Sequence, residues 1–403
     1  MKWKSLHLVM SLLLMVLLSG CWNRLELNEL SVIIGTSIDW QEDKYHVSFQ
    51  VINPSAISTQ TGGGGGGNSP VSVFSTSGTT VLEAIQNINL ESPRTPFFAH
   101  NRVLIISENL AKEKGISEVI DFFLREGETR ETMDIALSKG DPRDILEILL
   151  PQEKISANGI DQMFRKTEDN LSAVKRIRLS EFAKSFVSSS ANAIAPEITI
   201  KGKDGEQQSS LDALKKTTKS TVLKIGDIGV FKKGKLAGWL DQNESKGINW
   251  LNNEINNTVI PFSCSENEGT TSTFQVERSK TKIKPSIKDD KIIIQAKIQP
   301  EGVLQETGCN MDLTQPQNIQ KLEKEIEKQI EEDIYKTWEA AKELQADVFQ
   351  FGNKIHGKYP DKWKKLKPDW DQKLTEIELK LTVNASVERT GMINDPFEKI
   401  MGE

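Results

Sequence analysis

The residues of this chain best placed to do chemistry are Leu17-Leu18-Ser19-Gly20-Cys21. A thiol stands directly behind two small residues, which close an apolar run from Leu12 to Leu18 preceded by the basic start Lys2 and Lys4. A basic start, an apolar stretch and small residues at a cut point make an export signal, and the stretch is too short for a permanent membrane span. The thiol adds a second chemistry. Sulfur is the nucleophile required to take up a diacylglyceryl group as a thioether, and the small Ser19 and Gly20 suit cleavage of the Gly20-Cys21 bond. Leu-Ser-Gly-Cys thus resembles a bacterial lipobox, with Cys21 as the lipidation site and membrane lipid as its partner. The competing readings are a plain export signal with an incidental cysteine and a buried helix.

Cleavage before Cys21 leaves 383 of the 403 residues and removes two lysines, which moves the formal net charge from -6 to -8. A chain of that length predicts two or three domains. With 37% hydrophobic and 27% charged residues, and no later apolar stretch long enough to span a bilayer, the expected body is soluble and tethered. Its acidity argues against a nucleic-acid partner, which needs a basic face to displace counterions. His46, His100 and His356 are scattered singly, so neither a metal site nor a cofactor is expected. Export would permit a bridge between Cys264 and Cys309, but neither stands in a CxxC pattern, and two separate buried thiols are the expected state. No GxSxG elbow or HExxH helix is present, so no catalytic residue is assigned. A triad assembled in space would leave no such trace.

The elements that follow alternate between strand and helix. Ser31 to Trp40, a polar turn at Gln41 to Lys44, and the alternating Tyr45, Val47, Phe49 and Val51 predict a hairpin that ends at Asn53-Pro54. The six glycines Gly62 to Gly67 lack the lysine and Ser/Thr of a phosphate loop and are expected to form a flexible excursion. Val71 to Phe74 returns as a strand, Thr80 caps a helix, and Val103 to Ile106 forms a buried strand. Ile116 to Leu124 is helical, and Asp141-Pro142 starts a helix whose apolar positions run to Pro151. Past the polar stretch 201–219, a hairpin turns at Lys232 to Lys235, its basic tip expected in solvent rather than on anionic lipid. Strands fill 272–300. A long amphipathic helix presents Ile319, Leu322, Ile326, Ile330, Ile334, Ala341, Leu344 and Val348 on one face, which suits packing on a sheet better than a coiled-coil seam. Trp363 to Trp370 predicts a surface turn with its tryptophans tucked against that helix, and Ile377 to Val387 a closing strand. The expected class is α+β, a multidomain mixed body with antiparallel sheets. It divides into a signal at 1–20, a mixed α/β domain at 21–200, a linker at 201–221 and an α+β domain at 222–395, of which 222–270 could be a separate unit.

Four ordered segments carry a family resemblance. They are Cys21-Trp22-Asn23-Arg24 with Gln50-Val51-Ile52-Asn53-Pro54; His100-Asn101-Arg102-Val103 through Ile106-Ser107-Glu108-Asn109-Leu110 to Gly115-Ile116; Asp121-Phe122-Phe123-Leu124-Arg125 with Arg130; and Asp347 through Gly352 with Tyr359-Pro360, Trp363, Trp370 and Glu388-Arg389-Thr390-Gly391. The set resembles the Ger(x)C family, the lipoprotein C subunits of nutrient germinant receptors in endospore-forming bacteria. Asn23 stands where an acidic residue is common, and the hexaglycine is unusual. The resemblance implies a non-enzymatic subunit on the outer face of the spore inner membrane, assembled with polytopic A and B subunits. Whether it contacts the germinant is left open. Candidate docking surfaces are Arg125 to Arg130, the basic turn 362–367 and the hydrophobic edges. A solute-binding lipoprotein serving a transporter is the alternative, though it predicts two lobes of repeated strand-helix units.

Overall fold

The computed structural model describes residues 26–54, 56, 69–150, 152–172, 174–202, 209–215, 221–264, 271–289, 291–309 and 311–391, besides the isolated positions 3, 7 and 10. Gly20 and Cys21, the glycines Gly62 to Gly67, and residues 203–208 and 216–219 of the polar stretch lie outside these.

The body is mixed α+β, as the sequence predicts, with two sheets among the described residues. In the first, β1 (Leu30–Gln41) and β2 (Lys44–Ile52) form the predicted antiparallel hairpin, and β3 (Val71–Gly78) adds to β2. Glu42 and Asp43 make the β1–β2 turn with φ of 50° and 58°, the left-handed pair whose twist suits a two-residue hairpin loop. Thr80 caps α1 (Val81–Gln86) by accepting from the Glu83 amide. The short β4 (Thr95–Phe97) and then β5 (Val103–Ser107) lie parallel to β1. After α2 (Ser117–Arg125) comes β6 (Asp134–Ser138), parallel to β5. Helices α3 (Pro142–Glu147), α4 (Ser156–Asn170) and α5 (Leu179–Phe186) lead to β7 (Ile194–Gly202), which runs parallel to β6. Beyond the polar stretch, β8 (Thr221–Lys232) and β9 (Lys235–Leu240) extend the same sheet antiparallel.

All five residues of β5 and of β6 are buried because helices cover both faces of the parallel centre. Val103, Ile105 and Ala136 point to the side of α3 and α4. Leu104, Ile106, Ile135 and Leu137 point to the side of α1, α2 and α5. Helix α3 stops at Glu147, short of the predicted Pro151, because Ile148 is already extended; Leu149 reaches the core from outside the helix.

The first of these cores continues through α6 (Lys246–Asn252) into the second sheet. There β10 (Thr258–Ser263), β11 (Thr271–Lys288) and β12 (Lys291–Glu306) are antiparallel neighbours. The long helix α7 (Pro316–Glu343) buries Leu322, Ile326, Ile330 and Ile334 against that sheet and α6. Gly247 marks the closest approach of α6 and α7, since a Cβ there would lie 2.7 Å from Thr337 Cβ. After α8 (Phe351–Lys358), α9 (Pro360–Leu366) and α10 (Trp370–Thr375), the closing strand divides into β13 (Glu378–Val383) and β14 (Ser386–Arg389), both parallel to β12. Glu327 and Glu323 of α7 accept from the Ala385 and Val387 amides at 3.0 Å each where the predicted single strand breaks. Among the described residues no helix is long and apolar enough to cross a membrane.

Two expectations are corrected. Cys264 and Cys309 form a disulfide, with Cα atoms 5.6 Å apart, and are not separate thiols. Cys264 follows β10 and Cys309 follows β12, so pairing both strands with β11 brings the cysteines together at one end of the sheet. Trp363 to Trp370 is also no simple surface turn: it runs from α9 through an exposed 3-10 turn at Lys367–Asp369 into α10. Both indoles are buried edge to face at 5.0 Å, with Trp363 beside Gly352 of α8.

The turn after α7 is held by Asp347, which is 1% exposed. It accepts from the Phe351 amide at 2.9 Å, the Gly352 amide at 2.7 Å and Trp370 Nε1 at 3.2 Å. Burial outweighs these donors and pushes its carboxyl up to about 6. Asp347→Ala would strand three buried donors and should lower unfolding free energy by about 3 kcal/mol in a denaturant titration at pH 8. A loss under about 1 kcal/mol would mean that water replaces the carboxylate.

Candidate functional site

Cys21 and Gly20, the predicted lipidation and cleavage residues, lie outside the described residues. What the described body presents is a cavity of about 550 Å³ at the end of the first sheet where the parallel strands begin. Three segments, two leading into strands and one into a helix, build it. Residues 99–102 run from β4 into β5, residues 130–133 into β6, and residues 176–178 into α5. Backbone bonds hold the segments side by side. The Arg102 amide donates to Ile34 of β1 at 2.8 Å, the Asp134 amide to Arg102 at 2.8 Å, and the Leu179 amide to Met133 at 2.8 Å. Helix α4 closes one side with Asp161 and Arg165.

The lining is strongly cationic. Arg102, Arg130, Arg165, Arg176, Arg178 and Lys184 face two carboxylates, Asp161 and Glu181. The floor is a buried ion network. The Arg176 side chain, 5% exposed, donates from Nε to Asp134 Oδ1 and from Nη2 to Asp161 Oδ1, both at 2.6 Å. Asp134 is fully buried and its Oδ2 has no partner. Burial and the neighbouring Asp161 outweigh the guanidinium and push the Asp134 carboxyl up to about 7. Around the rim, Arg165 bonds Asp161 at 3.1 Å and Arg102 meets it at 3.4 Å. Asp161 is therefore shared among three guanidiniums. Arg130 and Lys184 are exposed and, among the described residues, have no carboxylate partner. Asn101 donates to Thr36 Oγ1 at 2.9 Å from the wall, while its own Oδ1 is buried without a partner.

The structure sorts the docking candidates read from sequence. Arg125 pairs with Asp121 within α2, an exposed contact that adds little stability, whereas Arg130 lines the cavity. Lysines 362, 364 and 365 are exposed on α9. The hairpin tip Lys232 to Lys235 keeps Lys233 and Lys235 exposed, as expected, but is also docked against neighbouring segments. Gly234 accepts from the Ile116 amide at 3.1 Å, Lys235 Nζ donates to the Glu113 carbonyl at 2.6 Å, and Lys232 pairs with Asp371 at 3.1 Å. The sequence reading quoted His100, Asn101, Arg102 and Arg130 without bringing them together. It missed Asp134, Asp161, Arg165, Arg176, Arg178, Glu181 and Lys184. The available signals were the basic group Lys175-Arg176-Ile177-Arg178 in an acidic chain and Asp134 at the head of an apolar strand.

The fold favours protonated Asp134, so its contribution is fully present below about 4 and is lost as pH rises through about 7. Asp134→Asn does not titrate. The stability of the native chain minus that of the variant should therefore fall by about 2 kcal/mol between pH 5 and 8, read from paired denaturant melts. A flat difference would mean that Arg176 keeps Asp134 ionised throughout.

Comparison with known proteins bears on the whole chain. Residues 23–200 match the family described as "Spore germination protein N-terminal domain", and residues 226–391 match "Spore germination B3/ GerAC like, C-terminal". The chain is 31% identical over 400 residues to spore germination protein KC of Bacillus subtilis, covering 98% of each. It is 25% identical over 402 residues to spore germination protein B3 of the same organism, covering 98% of this chain and 100% of the relative. A structure titled "Crystal Structure of the GerBC protein" superimposes with a TM-score of 0.56 at 21% identity, covering 88% of this chain and 97% of that one.

Proposed function

The chain belongs to the GerAC-like family of spore germination proteins, and we propose that it acts as the lipid-anchored, non-enzymatic C subunit of a nutrient germinant receptor. The observation that carries this reading is the match of both family halves in order across residues 23–200 and 226–391, directly behind the lipobox-like Leu18-Ser19-Gly20-Cys21. In this reading signal cleavage leaves Cys21 as the first residue with a diacylglyceryl group on its sulfur. Two acyl chains hold a protein stably where one does not. The body then stands on the outer face of the spore inner membrane beside polytopic A and B partners. The predicted linker 201–221 falls between the two matched halves, and we propose that it parts them along the chain, while β8 and β9 beyond it stay in the sheet of the first half. Its work is binding and positioning, with no bond made or broken in a substrate.

Cys21→Ala removes the only thiol in the signal region. The variant should lack the mass of a diacylglyceryl group, leave the membrane fraction or persist as uncleaved precursor, and weaken nutrient-triggered loss of optical density in spores carrying this receptor alone. Response to a receptor-independent trigger should be unchanged. Full membrane retention without lipid would overturn the anchor, and normal nutrient germination of spores lacking the chain would overturn the receptor role.

A further inference from the structure

We propose that the cationic cavity at the start of β5 and β6 holds the phosphate oxyanion of an anionic phospholipid headgroup. The proposal rests on the anchoring reading above, because it takes the ligand from the membrane to which Cys21 would tether the chain.

Charge is the first ground. The cavity sets six Arg and Lys side chains against two lining carboxylates, in a chain whose formal net charge is -6. The concentration of positive charge runs against the whole molecule, so the site attracts anions that the rest of the surface repels. Much of this charge is left available. Asp161 is shared by Arg102, Arg165 and Arg176, and among the described residues Arg130 and Lys184 have no carboxylate partner. Arg176 is fixed at the floor by its two buried bonds, while Arg102 and Arg178, loosely paired with Asp161 at 3.4 Å and Glu181 at 3.7 Å, keep 46% and 40% of their side-chain surface exposed. Planar guanidinium forks match the oxygens of a phosphate, and a cavity of this size admits a headgroup.

Position is the second ground. The cavity lies where the strands start, which is also where the chain enters the sheet. Arg102 donates its amide to Ile34, four residues beyond Leu30, the first residue of β1, or roughly 13 Å along a strand. From Leu30 back to Cys21 the nine residues span at most about 30 Å when fully extended. A body tethered at Cys21 therefore carries this cavity within reach of the headgroup layer, where anionic lipids attract clustered Arg and Lys.

Native mass spectrometry of the lipidated mature chain in detergent tests this. The intact mass reports the covalent diacylglyceryl group, and adduct masses report headgroup binding separately. Phosphatidylglycerol should be retained roughly tenfold better than phosphatidylcholine, and inorganic phosphate should not displace it. The double variant Arg130→Gln with Lys184→Gln changes two exposed, unpaired side chains and should lose that preference. Lys364→Gln with Lys365→Gln on α9 should keep it. Equal retention of both lipids, or an undiminished preference in the cavity variant, would overturn the site. Displacement by inorganic phosphate at matched concentration would make the ligand a soluble phosphate and overturn the membrane source. A mass lacking the diacylglyceryl group, with the preference intact, would overturn the anchor and leave the headgroup site standing.

Discussion

A guanidinium buried at the head of a central strand requires buried acceptors beside it, and Arg176 finds the first of them in Asp134. An isolated charge in such surroundings is strongly unfavourable, and a guanidinium with good geometry offsets the cost only when its remaining donors are also met. Asp161 meets one of them from α4. The network therefore fixes three things together: where β6 begins, where the segment before α5 crosses it, and how α4 lies over the sheet. The cavity is the solvent side of the same network. Once Arg176 is committed to the floor, Arg102 and Arg165 share Asp161 with it, Arg178 pairs with Glu181, and Arg130 is left facing outward.

Above that end, the parallel centre of the first sheet needs cover on both faces. The two cores divide the side chains of β5 and β6 by strict alternation, and each core is closed by its own helices. One of them does not stop at the first sheet. It runs through Trp250 and Leu251 of α6 to the isoleucines of β12 and the stripe of α7. The halves are thus joined by continuous apolar packing. Polar bonds add direction to the join: Asn192, just before β7, donates its amide to the Asp347 carbonyl and accepts from the Asp347 amide, while its Nδ2 donates to Phe231 of β8. Asp347 in turn gathers α8 and Trp370, so the turn after the long helix is referenced to the first sheet and to the closing helices at once.

Much of this architecture follows from local rules. Alternation in 45–51, the buried run 103–106, the Thr80 cap and the one-faced stripe of α7 as far as Ala341 follow from such rules, and the structure agrees with them, although α7 ends at Glu343 and leaves the predicted Leu344 and Val348 beyond it. The terminal strand shows the limit. Its alternation is unbroken in sequence, yet carboxylates from α7 capture two of its amides and divide it. The basic hairpin tip shows the same limit from another side. Lys232 to Lys235 looks like any solvated turn until the segment before α2 is found docked against it.

What the sequence determined alone was therefore local or ordered along the chain: the α+β class, most helices and strands, and the succession of motifs by which the family is recognised. Each depends on neighbours within a few residues or on their order, which one dimension preserves. The tertiary structure decided which distant residues meet. Cys264 and Cys309 are 45 residues apart and bond because β10 and β12 share β11. Asp134, Asp161 and Arg176 form one buried floor with Arg102 on its rim because β5 and β6 begin side by side beneath α4. No spacing rule predicts such meetings, since strand order and burial set them, and the cavity they build is legible only in three dimensions.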